Sequence, residues 1–201
     1  MTEATLFHLV RHASYGLLGR VLAGRTPGHA LDAIGRAEAV QLADALAARP
    51  LAAVVASPLE RTQETAAAIA GRHGMPVETD PALVEIDFGA WTGAALDSLH
   101  GTEAWRCYNA FRGTACSPDG EPMLAVQMRA VSAMVRLREA HPGAEVVLVS
   151  HADVIKAALA HFLAMPLDLF QRIEIAPASR SLVRLGADWV RVEAINLPPG
   201  A

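Results

Sequence analysis

Short apolar segments alternate with longer segments of helical periodicity along this chain of 201 residues. Three of the apolar segments have the length of buried strands, at residues 6–10, 51–56 and 145–150. Longer segments carry apolar residues at helical spacing, at residues 35–48, 59–72, 124–140 and 153–165. Strands that alternate with helices in this way are typical of a layered α/β domain, so this pattern constrains the fold more than any other feature.

The remaining parts of the chain are less regular. Residues 77–85 are predicted to be extended, and short strands are predicted near the end of the chain, at residues 173–175, 181–185 and 190–194. The segment 94–122 contains Trp105, Tyr108 and both cysteines without a regular pattern, and we expect it to form a lid or an insertion. Because no repeat or low-complexity linker divides the chain, we expect a single domain over residues 1–201.

Polar residues follow three of the predicted strands at the point where each strand ends. Arg11 and His12 follow the first strand, Arg61 lies shortly after the second, and His151 follows the strand at 145–150. The carboxyl ends of parallel strands line one edge of a sheet, where ligands bind, so these side chains are expected to converge if the strands share a sheet. Each residue alone has an ordinary structural explanation, such as a helix cap or a solvated charge.

Taken together, these residues form a coherent set for phosphoryl chemistry. Two guanidinium groups offer forked donors to phosphate oxygens, and two histidines can supply a nucleophile and a further donor. Glu85 lies next to apolar residues and can supply a proton if its pKa is raised. The sequence has no GxxxxGK[ST] or HExxH motif and no cluster of Asp, Glu and His, which disfavours a metal site.

The amino-acid composition disfavours several classes of binding partner. The formal net charge is −4 and no polybasic tract occurs, so a general nucleic-acid or polyanion binder is disfavoured. Lysine occurs once, at Lys156, which leaves arginine as the cation for a phosphate site. No secretory signal pattern begins the sequence and no apolar run reaches roughly 18 residues, so we expect no membrane partner.

The two cysteines indicate the redox environment. Cys107 and Cys116 match neither a CxxC redox pair nor a zinc knuckle. Two loose thiols are typical of a reducing compartment, so the expected location is cytoplasmic.

A series of sequence elements resembles one known family in both content and order. Leu9-Val-Arg-His12 comes first, followed by Leu31-Asp-Ala-Ile-Gly35-Arg-Ala-Glu38 and Ser57-Pro-Leu-Glu-Arg61-Thr62. The later elements are Leu83-Val-Glu85-Ile-Asp-Phe-Gly89-Ala-Trp91, Asp119-Gly-Glu121 and Val147-Leu-Val-Ser-His151. The series covers nearly the whole chain and resembles the histidine phosphatase superfamily, in the branch shared with cofactor-dependent phosphoglycerate mutases.

The resemblance implies a fold and a site. The fold would be a three-layer α/β sandwich with a mostly parallel central sheet flanked by helices, as in phosphoglycerate mutases. The site would use His12 as a nucleophile that becomes phosphohistidine, with Glu85 as the proton donor to the leaving oxygen. The phosphoryl oxygens would be bound by Arg11, Arg61 and His151. The resemblance implies no metal and no cofactor, with a small phosphorylated molecule as substrate and inorganic phosphate as product.

Three further residues are candidates for substrate binding: Ser14, Arg25 and Ala152. Arg25 lies in a glycine-containing loop, where a solvated arginine is an equally good interpretation. Members of the family usually have glycine directly after each catalytic histidine, where this chain has Ala13 and Ala152. Because alanine disfavours positive φ but is still small, we expect an adjusted pocket and retained activity.

The expected function is a metal-independent phosphomonoesterase that acts through phosphohistidine on a small metabolite. Ser14 and Tyr15 stand where the mutases have other residues, and Glu85-Ile-Asp-Phe88 replaces their Glu-Arg-His-Tyr-like run. These departures favour a phosphatase. A phosphomutase, an α-ribazole phosphatase and a catalytically weak phospholigand-binding module remain alternatives, and a homodimer is left open.

Overall fold

The computed structural model describes residues 3–200 and contains a six-stranded mixed sheet. In chain order the strands are β1 (Thr5–Arg11), β2 (Leu51–Ala56), β3 (Val77–Thr79), β4 (Glu145–Ser150), β5 (Arg180–Leu185) and β6 (Val190–Leu197). Their order across the sheet is β3-β2-β4-β1-β5-β6. Strands β1 to β4 pair in parallel, whereas β5 pairs antiparallel with both β1 and β6. The sheet is therefore mostly parallel, as the resemblance implied.

Helices connect the parallel strands. They are α1 (Ala33–Leu46), α2 (Glu60–His73), α3 (Leu96–Leu99), α4 (Glu103–Ala110), α5 (Met123–Ala140) and α6 (Ala152–Phe162). Short 3₁₀ segments occur at Pro81–Leu83, Gly89–Trp91 and Leu167–Arg172. Within residues 3–200, no helix has the length and apolar character needed to cross a bilayer.

Alternate residues of β4 belong to two separate hydrophobic cores. Val147 and Val149 pack with buried residues of α1 and α2, whereas Val146 and Leu148 pack with buried residues of α5 and α6. Successive side chains of a strand point to opposite faces, so a sheet covered on both sides has strands that are apolar throughout. This two-sided burial produces three layers and explains why the strands are recognisable as short apolar runs.

Two predicted strands differ from the structure. Strand β3 ends at Thr79, because Pro81 lacks an amide N–H and the carboxylate of Asp80 accepts the N–H of Ala82 at 2.9 Å, which starts a 3₁₀ turn. The prediction of a strand at residues 173–175 is wrong. Ile173 and Ile175 are buried in an irregular segment, where the carbonyl of Ile175 accepts a hydrogen bond from Arg11.

The segment 94–122 is more regular than its sequence pattern indicated, since it contains both α3 and α4. Trp105 and Tyr108 of α4 pack against each other and against Trp91, with ring centroids 5.3 to 5.9 Å apart. Tyr108 is fully buried, so this aromatic cluster joins the segment to the core. Movement of the segment as a lid stays a prediction.

Candidate active site

A cavity of about 230 Å³ lies at the carboxyl ends of the parallel strands. Its wall includes Arg11 at the end of β1, Ala152 just beyond β4, and Arg61 in the first turn of α2, which follows β2. Glu85 also lines the cavity. The strand ends therefore converge, because parallel strands in one sheet bring their carboxyl ends to the same edge.

His12 is buried beside this wall in one defined tautomer. Its Nδ1 lies 2.8 Å from the carbonyl oxygen of Ala13, which can only accept, so Nδ1 carries the proton and donates it. Burial, together with the guanidinium groups of Arg61 and Arg11, holds the pKa of His12 well below its ordinary value. The neutral ring then has its lone pair on Nε2, which is the form that a nucleophile requires.

His151 is the second buried histidine of the site. Its ring centroid lies 5.2 Å from that of His12. Its Nε2 is 2.8 Å from Ser57 Oγ, while Nδ1 lies 3.4 Å from Arg61 Nη2 and 3.8 Å from Glu85 Oε2. Burial and the charge of Arg61 lower the pKa of His151 well below its ordinary value. Ser57 thus anchors Nε2 of His151, whereas Nδ1 faces Arg61 and Glu85, which both line the cavity.

The two arginines are anchored by carbonyl groups and keep other donors unused. Arg61 is only 1% exposed, and its Nη2 donates to the carbonyl of Gly24 at 2.8 Å. Arg11 Nη1 donates to the carbonyl of Ile175 at 2.7 Å. Within residues 3–200, Arg61 Nε and Nη1 and Arg11 Nε are buried without a hydrogen-bond partner. Because an unpaired buried donor costs about 1–3 kcal/mol, such donors are expected where an anionic ligand binds.

Glu85 is a carboxyl group that retains its proton near neutral pH. Burial is the largest cause, followed by the negative charge of Asp153, and together they raise the pKa of Glu85 to about 7. Arg61 and Arg11 oppose this shift but do not cancel it. Glu85 Oε1 accepts the backbone N–H of Ile86 at 3.0 Å, which holds the carboxyl group in place. A carboxyl group with this pKa can both donate and accept a proton at pH 7.

The structure does not bring Arg25 or Ser14 to the described cavity wall. Arg25 Nε donates to the backbone carbonyl of Glu85 at 2.8 Å, and its Nη2 donates to Glu121 Oε2 at 2.7 Å. Ser14 Oγ donates to the carboxylate of Asp32 at 3.1 Å. Both side chains therefore support the framework of the site, and Arg25 holds the backbone of the candidate acid.

The alanines that follow the two histidines fit the local backbone. The N–H of Ala13 donates to Thr65 Oγ1 at 3.1 Å, and Ala152 begins α6 at the cavity wall. Neither alanine is among the described residues with positive φ. Since no left-handed conformation is required, replacing glycine by alanine introduces no backbone strain at either position.

Several residues of the wall were missed by the sequence reasoning: Tyr15, Asn109, Arg112, Asp153 and Gln171. The ring of Tyr15 lies 5.1 Å from Arg61 Cζ and 5.4 Å from the ring of His12. Asp153 stands two residues after His151 at a strand end, which was a usable signal. Arg112 and Asn109 belong to the segment without periodicity, which offered no such signal.

A family model for the histidine phosphatase superfamily (branch 1) matches residues 7–198. The chain is a member of the histidine phosphatase superfamily. This superfamily member is 42% identical over 154 residues to the uncharacterized protein Rv0525 of Mycobacterium tuberculosis, covering 75% of each chain. It is 30% identical over 169 residues to the probable phosphoglycerate mutase GpmB of Yersinia enterocolitica, covering 80% of this chain and 78% of the relative.

Solved structures of similar proteins have the same fold as this histidine phosphatase superfamily member. YhfR of Bacillus stearothermophilus gives a TM-score of 0.88 at 27% identity, over 94% of this chain and 96% of that chain. A mycobacterial glucosyl-3-phosphoglycerate phosphatase, Rv2419c, solved as a complex with VO3, gives a TM-score of 0.85 at 26% identity, over 96% and 98% of the two chains. The α/β fold with a mostly parallel central sheet is therefore confirmed.

Proposed function

We propose that this protein is a metal-independent phosphomonoesterase that acts on a small phosphorylated metabolite through phosphohistidine. The proposal rests on one arrangement of side chains. The neutral ring of His12, with a free Nε2, lies beside two guanidinium groups that have buried, unpartnered donors and beside a carboxyl group whose pKa is about 7. This arrangement supplies a nucleophile, an anion site and a proton donor at one edge of the sheet.

In the first step, His12 Nε2 attacks the phosphorus atom and the ester P–O bond breaks. Glu85 gives its proton to the leaving oxygen, so the alcohol departs neutral and Nε2 carries the phosphoryl group. The donors of Arg11 and Arg61, with the imidazole of His151, bind the non-bridging oxygens. Phosphoryl transfer depends mainly on positioning and charge stabilisation, which these groups provide.

In the second step, water replaces the alcohol. The carboxylate of Glu85 takes a proton from the water as its oxygen attacks phosphorus, and the N–P bond breaks. Inorganic phosphate leaves, and both His12 and Glu85 return to their starting protonation states. The pKa of about 7 suits both steps, because Glu85 must alternate between acid and base.

The test is hydrolysis of 4-nitrophenyl phosphate in the presence of EDTA. His12→Ala should lower kcat by about 10⁴-fold or more, because it removes the nucleophile. His161→Ala, which changes an exposed histidine at the last turn of α6, is the control and should keep the rate. Full activity in His12→Ala, or loss of the wild-type rate on adding EDTA, would contradict the proposal.

A phosphomutase is the second candidate, because a probable phosphoglycerate mutase is 30% identical to this chain. Both activities pass through phosphohistidine and differ in the acceptor. Acid-labile phosphate trapped on His12 and then chased with water should appear as inorganic phosphate. Transfer of the label to the hydroxyl of an added phosphoglycerate, in preference to water, would indicate the mutase. A binding module would trap no phosphohistidine.

A further inference from the structure

The cavity wall carries an ion pair, Arg112 with Asp153, that does not contact the reacting atoms in the proposed steps. Arg112 is only 3% exposed, and its Nη1 donates to Asp153 Oδ2 at 3.0 Å and to the phenol oxygen of Tyr108 at 2.9 Å. Its Nη2 donates to Asn109 Oδ1 at 2.9 Å, and its Cζ lies 3.9 Å from the ring centroid of Tyr108. Arg112 is therefore fixed in place, and Asp153 compensates its charge.

Asp153 keeps one carboxylate oxygen available to the cavity. Its Oδ2 is engaged by Arg112, whereas Oδ1 makes no hydrogen bond with the part of the chain that the structure describes. The side chain is 17% exposed and lines the cavity. Gln171, also on this wall, accepts from Lys156 Nζ at 3.0 Å and donates to Asn109 Oδ1 at 3.3 Å. This part of the wall thus offers an anionic hydrogen-bond acceptor and a fixed amide.

The same cavity has a rigid apolar wall. Trp105 and Phe88 line it, and the ring of Trp105 is held by Trp91 and Tyr108. Pockets for small molecules commonly combine such apolar surfaces with a few fixed polar groups. An aromatic face beside a carboxylate acceptor suits a molecule with carbon-bound hydrogens on one side and hydroxyl groups on the other.

We infer that Asp153 is a specificity residue that selects phosphomonoesters with a neutral, polyhydroxylated leaving group, such as a sugar, and rejects those that carry a carboxylate. The inference rests on the proposed function for the phosphoryl end of the substrate. A hydroxyl group on the leaving group donates to Asp153 Oδ1. A carboxylate instead meets the negative charge of Asp153, which also compensates the charge of Arg112 beside it.

The wild-type enzyme gives the first test, with 4-nitrophenyl phosphate as the reference substrate. The ratio of kcat/KM for ribose 5-phosphate to that for 3-phosphoglycerate should be about tenfold or more, since both are similar in size but differ in hydroxyl and carboxylate groups. Equal values, or a preference for 3-phosphoglycerate, would overturn the inference.

Asp153→Asn gives the second test, measured at the pH optimum of each variant. Asparagine directs its carbonyl oxygen to Arg112 and its NH₂ group to the cavity, which removes the acceptor. We expect the ratio of kcat/KM for ribose 5-phosphate to kcat/KM for 4-nitrophenyl phosphate to fall about tenfold, mainly through KM for ribose 5-phosphate. An equal loss for all three substrates would mean a structural role and overturn the inference.

Asp168→Asn is the matched control, because Asp168 accepts the N–H of Gly113 at 2.7 Å and lies outside the described cavity wall. This variant should keep the wild-type ratio of kcat/KM for ribose 5-phosphate to kcat/KM for 3-phosphoglycerate. If Asp153→Asn fails to fold because Arg112 is left unpaired, Arg112→Met combined with Asp153→Leu removes both charges. This double variant should also lose the preference for ribose 5-phosphate, and retention of the wild-type ratio would contradict the inference.

Binding to His12→Ala separates the two proposals, because this variant cannot form phosphohistidine. Titration calorimetry should give a Kd for ribose 5-phosphate about tenfold below that for 3-phosphoglycerate. A wild-type enzyme that hydrolyses none of the substrates, with this ranking retained, would overturn the phosphatase proposal alone. A reversed ranking would overturn the selectivity assigned to Asp153.

Discussion

At the scale of single residues, the role proposed for Glu85 as the acid has a consequence for stability. Its folded-state pKa of about 7 lies above the ordinary value of 4.5. Between these values the folded protein binds more protons than the unfolded chain, so this group makes the folded state less stable as pH rises. The full effect above pH 7 is about 3 kcal/mol. The acid is therefore kept protonated at a cost in stability, which is common for functional groups.

Glu85→Gln should accordingly raise Tm above that of the wild-type protein at pH 8. The two proteins should unfold at nearly the same temperature near pH 4, where Glu85 is protonated in both the folded and the unfolded state. Thermal unfolding followed by circular dichroism at the two pH values is the measurement. An equal Tm difference at both pH values would contradict the role given to ionisation.

For the same substitution, we predict a loss of kcat/KM whose size depends on the leaving group of the substrate. Glu85→Gln should lower kcat/KM for an alkyl phosphomonoester by about 10²–10⁴-fold, because the alkoxide needs a proton. The loss for 4-nitrophenyl phosphate should be much smaller, since nitrophenolate leaves without one. In the wild-type enzyme, kcat/KM for the alkyl ester should decline as pH rises through about 7, following the pKa of Glu85.

At the scale of elements, the start of α1 supports the loop that follows His12, the proposed nucleophile. Asp32 caps this helix by accepting the N–H of Gly35 at 2.7 Å and also accepts a hydrogen bond from Ser14. Glu38 accepts the N–H of Ser14 at 2.8 Å. The backbone passes so close to Gly35 that an added Cβ would lie 2.0 Å from the carbonyl oxygen of Ser14. Helix and loop therefore form one unit next to His12.

Gly35→Ala should push this loop away from α1. We expect the free energy of unfolding to fall by about 1–3 kcal/mol, with a lower kcat, because the overpacked contact is two residues from His12. Gly71→Ala in α2 is the control, since no atom outside its own stretch of the helix lies within 4 Å of the added Cβ. That change should stabilise the helix by roughly 0.5–1 kcal/mol and keep kcat. Unfolding by denaturant and steady-state rates would show whether the two glycines differ in this way.

The elements also show what sequence can and cannot predict. Strands β1, β2 and β4 were predictable because burial on both faces makes them apolar throughout, and the convergence of Arg11, Arg61 and His151 followed from a parallel sheet. Residues 173–175 are equally apolar but are buried without a strand partner, which periodicity cannot distinguish.

The pair of Arg112 and Asp153 shows a second limit of prediction. Its members are 41 residues apart, and one of them lies in a segment without periodicity. Arg25 was singled out by its place in a glycine-containing loop, but the direction of its side chain depends on Glu121, which lies 96 residues away in the sequence. Long-range pairs of polar side chains depend on the tertiary structure, and a single sequence does not encode them locally.

At the scale of the whole molecule, a net charge of −4 is compatible with the proposed anion site. Net charge averages over the surface, whereas the proposed site concentrates two guanidinium groups. Orthovanadate should therefore stabilise the folded protein, by about 2.7 kcal/mol at a concentration of 100 times its Kd. For a chain of this size that corresponds to a rise in Tm of roughly 5–10 °C.

Arg61→Met should remove most of this rise, because it deletes donors that are buried without partners. Arg72→Met in the last turn of the same helix is the control, since Arg72 is half exposed and pairs with Asp44, and it should keep the full rise. Differential scanning fluorimetry with increasing vanadate would measure both shifts, each relative to the variant without vanadate. If vanadate raised the Tm of Arg61→Met as much as that of Arg72→Met, the anion would bind elsewhere. The phosphoryl site assigned to the carboxyl edge of the sheet would then be wrong.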